Sequence, residues 1–150
     1  MEATRYEIIM SKSMFRDIFF QKLIIGQFYD LNSASGINFP TPIDSDFQFG
    51  YAIVDQNKTL TPHIHKRVER RINTTSEFLY VVDGEMIIEI YSEDETYIET
   101  VILKKNQALL QFIGGHKISM KKGTKYFELK QGPYFGKDFD KYELGSNDEL

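Results

Sequence analysis

A chain of 150 residues, 41% hydrophobic and 27% charged, fits one soluble domain long enough to bury a core. Its net charge of -4 gives no encouragement to nucleic-acid binding, which usually needs a basic face. Cysteine is absent, which excludes disulfides and thiol chemistry and fits a reducing cytoplasm. Aromatics reach 14% without any Trp, implying a thick core, a stacking pocket or a subunit interface. The apolar stretch Ile18 to Ile25 is broken by Gln21 and Lys22 and falls well short of the roughly 20 residues of a membrane helix. Glu2 and Glu7 argue against a signal peptide, so a soluble cytoplasmic protein without a membrane association is expected.

Residues Tyr6 to Leu31 mix β-branched and aromatic side chains and read as strands, with room for a short helix around Asp17 to Leu23. Asn32 to Gly36 is a loop by composition, and Pro40 and Pro42 prolong the irregular stretch. Phe47 to Val54 reads as a strand closed by the polar turn Asp55 to Lys58, and His63-Ile64-His65 as an extended segment. Glu77 to Val82 and Glu85 to Tyr91 flank Asp83-Gly84, a hairpin signal. In the second of these runs Met86, Ile88 and Ile90 alternate with Glu85, Ile87 and Glu89. Ser92 to Glu95 is an acidic turn, Tyr97 to Leu103 a strand, and Lys104 to Asn106 a turn into Ala108 to Ile113. Gly114-Gly115 breaks the chain before His116. Ile118 to Met120, the turn Lys121 to Gly123 and Tyr126 to Lys130 complete the pattern, and the acidic end Lys141 to Leu150 is expected to fray. Short strands at this spacing indicate an all-β sandwich or barrel.

Three histidines stand at two places, the pair His63 and His65 and the later His116. Side chains alternate along an extended segment, so the pair projects both imidazoles to one side. Together with Glu77 at the head of a strand, they form a plausible ligand set for a divalent metal.

The spacing resembles the cupin superfamily, whose first motif is Gly-x5-His-x-His-x3/4-Glu-x6-Gly. Here His63-Ile64-His65 matches the histidine pair and Glu77 to Gly84 matches Glu-x6-Gly. The second motif, Gly-x5-Pro-x-Gly-x2-His-x3-Asn, is matched more loosely by Asn106 through Met120, with Gly114, Gly115 and His116 nearby. The gap between His65 and Glu77 exceeds the family pattern. Asn106, Phe112 and Met120 replace the motif glycine, proline and asparagine. Glu69 sits at the family distance from His65, whereas Glu77 alone is followed by the strand and glycine, so Glu77 is the preferred carboxylate and Glu69 its rival.

The resemblance spans about residues 47–133 and implies a double-stranded β-helix, a jelly-roll barrel. Residues 1–46 would form an irregular extension packed on it, 47–136 the barrel and 137–150 an acidic tail. It implies Fe, Mn, Co, Ni or Zn held by His63, His65, Glu77 and His116, with open positions for an oxygen-donor substrate. Arg71 at the mouth, and Glu128 and Lys130 on a later strand, are the candidates for orienting that substrate or moving a proton. The expected function is a metal-dependent enzyme acting on a small anionic or sugar-derived substrate, similar to cupins of surface-polysaccharide or nucleotide-sugar pathways. The alternative is a non-catalytic cupin that binds a sugar or carboxylate. A homodimer is expected, since Phe78, Tyr80 and Val82 face away from Glu77 and could pack on another subunit.

Overall fold

The computed structural model describes residues 13–146. Ten antiparallel strands dominate it: β1 (Phe15–Phe20), β2 (Leu23–Asp30), β3 (Ile37–Asn38), β4 (Tyr51–Ala52), β5 (Glu77–Asp83), β6 (Glu85–Tyr91), β7 (Tyr97–Lys104), β8 (Gln107–Gln111), β9 (Gly115–Met120) and β10 (Lys125–Lys130). One short helix, α1 (Lys137–Asp140), follows. A five-stranded sheet has the order β1-β2-β8-β5-β10, and a three-stranded sheet the order β7-β6-β9; β3 and β4 form a separate ribbon.

The two main sheets enclose one apolar layer. Leu79, Val81 and Leu109 from the larger sheet meet Met86, Ile88, Ile90, Val101 and Leu103 from the smaller. Met86, Ile88 and Ile90 are buried and their neighbours Glu85, Ile87 and Glu89 are not, as period-two alternation on a half-buried strand requires. A second cluster lies on the outer face of the larger sheet. There Phe47, Phe49 and Tyr51 pack over Tyr29, Ala108, Leu110, Phe78 and Tyr80. Phe78 and Tyr80 thus turn away from Glu77, and the chain's own aromatics cover part of that face. Its polar border is closed by Gln27, which accepts from the Tyr29 hydroxyl (2.6 Å) and donates to Asp17 (2.7 Å) and the Pro40 carbonyl (3.0 Å).

Several sequence expectations need correction. No helix forms near Asp17 to Leu23; β1 and β2 meet there in a tight turn, with Gln21 at φ 55°. Antiparallel pairing of the two strands across the Gln21-Lys22 turn wins over a helical reading of a short apolar run. Of the strand expected over Phe47 to Val54, only Tyr51–Ala52 pairs, because Phe47 and Phe49 pack their rings on the sheet instead of joining a ladder. Residues 61–73 hold no strand, so His63 and His65 lie on irregular chain. The stretch expected to fray is tethered in part: the Tyr142 hydroxyl reaches the Glu93 carbonyl (3.5 Å) and the Gly145 amide reaches the Glu95 carboxylate (3.2 Å). The part of the first expected strand before Ser13, and the last four residues of the tail, lie outside the described residues. No helix among the described residues is long and apolar enough to cross a membrane.

Candidate functional site at one end of the sandwich

Strand register puts polar side chains into the interlayer space at one end. Across the larger sheet Ile18, Gly26, Gln111, Glu77 and Lys130 stand in one row. Across the smaller sheet the corresponding row is Glu99, Ile90 and His116. Glu77 shares its face with buried Leu79 and Val81, and His116 shares its face with Ile118, so both point inward. They meet across the layer, with His116 Nε2 3.7 Å from Glu77 Oε1.

Gln111 fixes this meeting. Its side-chain nitrogen donates to the carbonyls of Ile113 (3.1 Å) and Gly115 (3.0 Å), which orients the amide. The amide oxygen therefore faces His116 Nδ1 at 2.9 Å, and only an Nδ1–H can bond to it. Neutral His116 then directs the Nε2 lone pair at Glu77. Gly114, at φ 89°, is needed for the approach: a Cβ there would overlap the Tyr91 carbonyl oxygen.

The electrostatics follow from burial. Burial pushes the Glu77 carboxyl up, nearby Glu128 adds to the rise, and Lys130 and Lys141 oppose it. Burial pulls the His116 imidazole down; Glu128 pushes it up and Lys141 pulls it down. Both shifts favour the neutral forms of the two groups. Lys130 lies beside Glu77 in the strand pairing, 3.8 Å from Asp140 Oδ2 and over the Tyr134 ring at 5.0 Å. Glu128 pairs with Leu79 one step further along the same face. The two anticipated acid–base residues, Glu128 and Lys130, thus flank the pair.

The remaining candidates lie elsewhere. Every residue from 52 to 71 is exposed, and this stretch carries His63, His65, Glu69 and Arg71. The His63 and His65 rings touch at 5.1 Å between centroids, and Glu69 sits 3.7 Å from Arg71. His63 Nδ1 lies 3.0 Å from the Thr61 carbonyl, which leaves Nε2 as the free nitrogen. Among the described residues no three His, Asp or Glu side chains are grouped so that they could hold a metal. The four-residue set therefore does not fit within a single chain as folded. Glu77 and His116 supply half of it, with the imidazole oriented as a ligand requires, and Glu69 is not beside them.

Two contributors escaped the sequence reading. Gln111 was visible as the one polar residue inside the apolar run Ala108 to Ile113, and it is 4% exposed. Lys141 carried no signal, since its place depends on the chain returning after β10. A surface groove lined by Ala34, Gly36, Ile37, Ile53, Val54 and Lys58 includes none of the site residues. Compared with known proteins, the chain matches no family model, no curated protein and no solved structure. Its class is defined by architecture, an all-β protein of antiparallel sheets compatible with a β-barrel or jelly roll.

Proposed function

We propose that the polar end of the sandwich is the working site of a small cupin-like enzyme that moves a proton on a small anionic or sugar-derived substrate. The Glu77–His116 pair under Gln111 carries this reading: two titratable groups of opposite type, partly buried, in one fixed tautomer. Glu77 would take a proton from a carbon or hydroxyl of the substrate, and His116 would share or return it. Lys130 and Lys141 give the site a cationic side for a carboxylate or phosphate.

The test is proton exchange in D2O, followed by NMR over a panel of sugar phosphates, uronates and hydroxy acids. At least one compound is expected to take up deuterium with wild-type protein. Glu77→Gln and His116→Ala should each reduce that rate by about 10²- to 10⁴-fold. A non-catalytic ligand-binding protein is the second reading, favoured by the cations beside the pair. It predicts saturable binding with no exchange. Exchange that survives both substitutions would contradict the proposal.

A further inference from the structure

Residues 137–146 cross the polar end of the sandwich and touch both sheets. On the larger sheet, Asp140 Oδ2 stands 3.8 Å from Lys130 Nζ. On the smaller one, the Gly145 amide donates to the Glu95 carboxylate (3.2 Å) and the Tyr142 hydroxyl to the Glu93 carbonyl (3.5 Å). Leu144 lies over Gly115, the neighbour of His116. We propose that this segment is a strap over the Glu77–His116 pair, in which Asp140 holds on Lys130 the place that a substrate carboxylate takes when the strap opens. The proposal rests on the proton-transfer reading above and names the anionic group of its substrate.

The pair is covered where a substrate has to enter. The Glu77 and His116 side chains are 15% and 27% exposed, so a molecule that meets both must displace part of the chain around them. Lys141, next to Asp140 in the strap, is close enough to act on both charges.

The latch is poorly satisfied. Asp140 Oδ2 is buried and accepts no hydrogen bond, and its cation stands beyond hydrogen-bond length. A buried carboxylate oxygen without a donor is costly. A free carboxylate has no chain to hold it back and can close on the ammonium to about 2.8 Å, the length of a charge-assisted bond. Lys130 stays in place for it. Strand pairing sets it beside Glu77, and its ammonium lies over the Tyr134 ring at 5.0 Å.

The strap can move as one piece at small cost. Lys137 holds Glu143 (3.2 Å), and the Lys141 amide bonds to the Lys137 carbonyl (3.1 Å). No residue of α1 is buried, and Leu144 is 41% exposed, so opening uncovers little apolar surface. Gly136, at φ 113°, is a natural hinge, since only glycine adopts that backbone freely.

Glycolate tests this as the carboxylate probe, with hydrogen exchange of the Gly145 amide in the full chain as the reading of the strap. Saturating glycolate should speed that exchange about tenfold, while chloride at equal ionic strength leaves it unchanged. Asp140→Asn should speed it without ligand and tighten glycolate binding about tenfold, because apparent affinity scales with the open fraction. Leu144→Ala, which keeps both charges, should loosen the strap and tighten binding in the same direction. A purely structural ion pair predicts the reverse. Glycolate binding that is unchanged or weaker in folded Asp140→Asn and Leu144→Ala would overturn the proposal, as would binding that leaves Gly145 protected. Phosphate bound in preference to glycolate would overturn the choice of carboxylate. The two readings fail separately. Deuterium uptake that persists while glycolate fails to bind would end this inference alone. Glycolate that releases the strap while no compound takes up deuterium would end the enzymatic reading and leave the carboxylate site standing.

Discussion

The β5–β10 region and the segment from 53 to 75 are adjacent in sequence, yet only the first is built into ladders. The segment is held near its ends, by the Ile53 amide on the Gly36 carbonyl and the Thr74 hydroxyl on Asp46. In β5 and β6 the apolar positions of the alternation are buried to within a few per cent exposure. In the segment Leu60, Ile64 and Val68 recur only every fourth residue and stand in solvent, with Ile64 92% exposed. Alternation specifies which side chains share a face, and a sheet forms only where a neighbouring strand supplies backbone partners. Asp83-Gly84, with Gly84 at φ 92°, does not close the expected hairpin. It carries the chain from β5 into β6 of the other sheet, and β5 finds its backbone partners in β8 and β10. The histidine segment has no such ladder among the described residues.

The sharpest way to break this contrast is to truncate one apolar residue on each side of it. Leu79→Ala should cost about 2–5 kcal/mol in urea unfolding, since Leu79 is 1% exposed between the sheets. Ile64→Ala, measured at concentrations where the chain is monomeric, should stay within about 0.5 kcal/mol. Equal losses would mean the segment is packed in the monomer. Next in size is Gly114→Ala, where a Cβ would overlap the Tyr91 carbonyl and the backbone has φ 89°. About 1–3 kcal/mol should be lost, and the His116 ring resonances should move with it.

The smallest effect carries a sign. Glu77 is raised by burial, so its folded form favours the proton, and stability falls as pH climbs from its ordinary 4.5 through its folded value. His116 is lowered, so stability is full above its ordinary 6.5 and falls as the pH drops through that value toward its folded one. Glu77→Gln should therefore raise the melting temperature at pH 8 by a few degrees while removing activity. A lower melting temperature at pH 8 would place the carboxylate in a stabilising ion pair instead.

Much of the sandwich was legible in the sequence because its strands are local. The 85–91 alternation and the β6–β7 pairing closed by the turn at Ser92 to Glu95 depend on residues close in the chain. The hairpin expected at Asp83-Gly84 did not form, because β5 and β6 belong to different sheets. The Glu77–His116 approach was legible as a pairing of types, through the glycine break before His116. What closes it was not, because Gln111 acts through strand register, and Lys141 through a return of the chain after β10. The expected strand at His63-Ile64-His65 failed for the same reason: side-chain alternation does not reveal whether a partner edge lies within reach.

The most direct test of the site is the protonation of His116, read from its ¹⁵N resonances at neutral pH in metal-free protein. The geometry requires a proton on Nδ1, bonded to Gln111, and burial favours the neutral ring, which leaves Nε2 unprotonated toward Glu77. Gln111→Leu should release that tautomer. A ring protonated on Nε2 alone, or an imidazolium that titrates as in solution, would contradict the preformed pair on which this account stands.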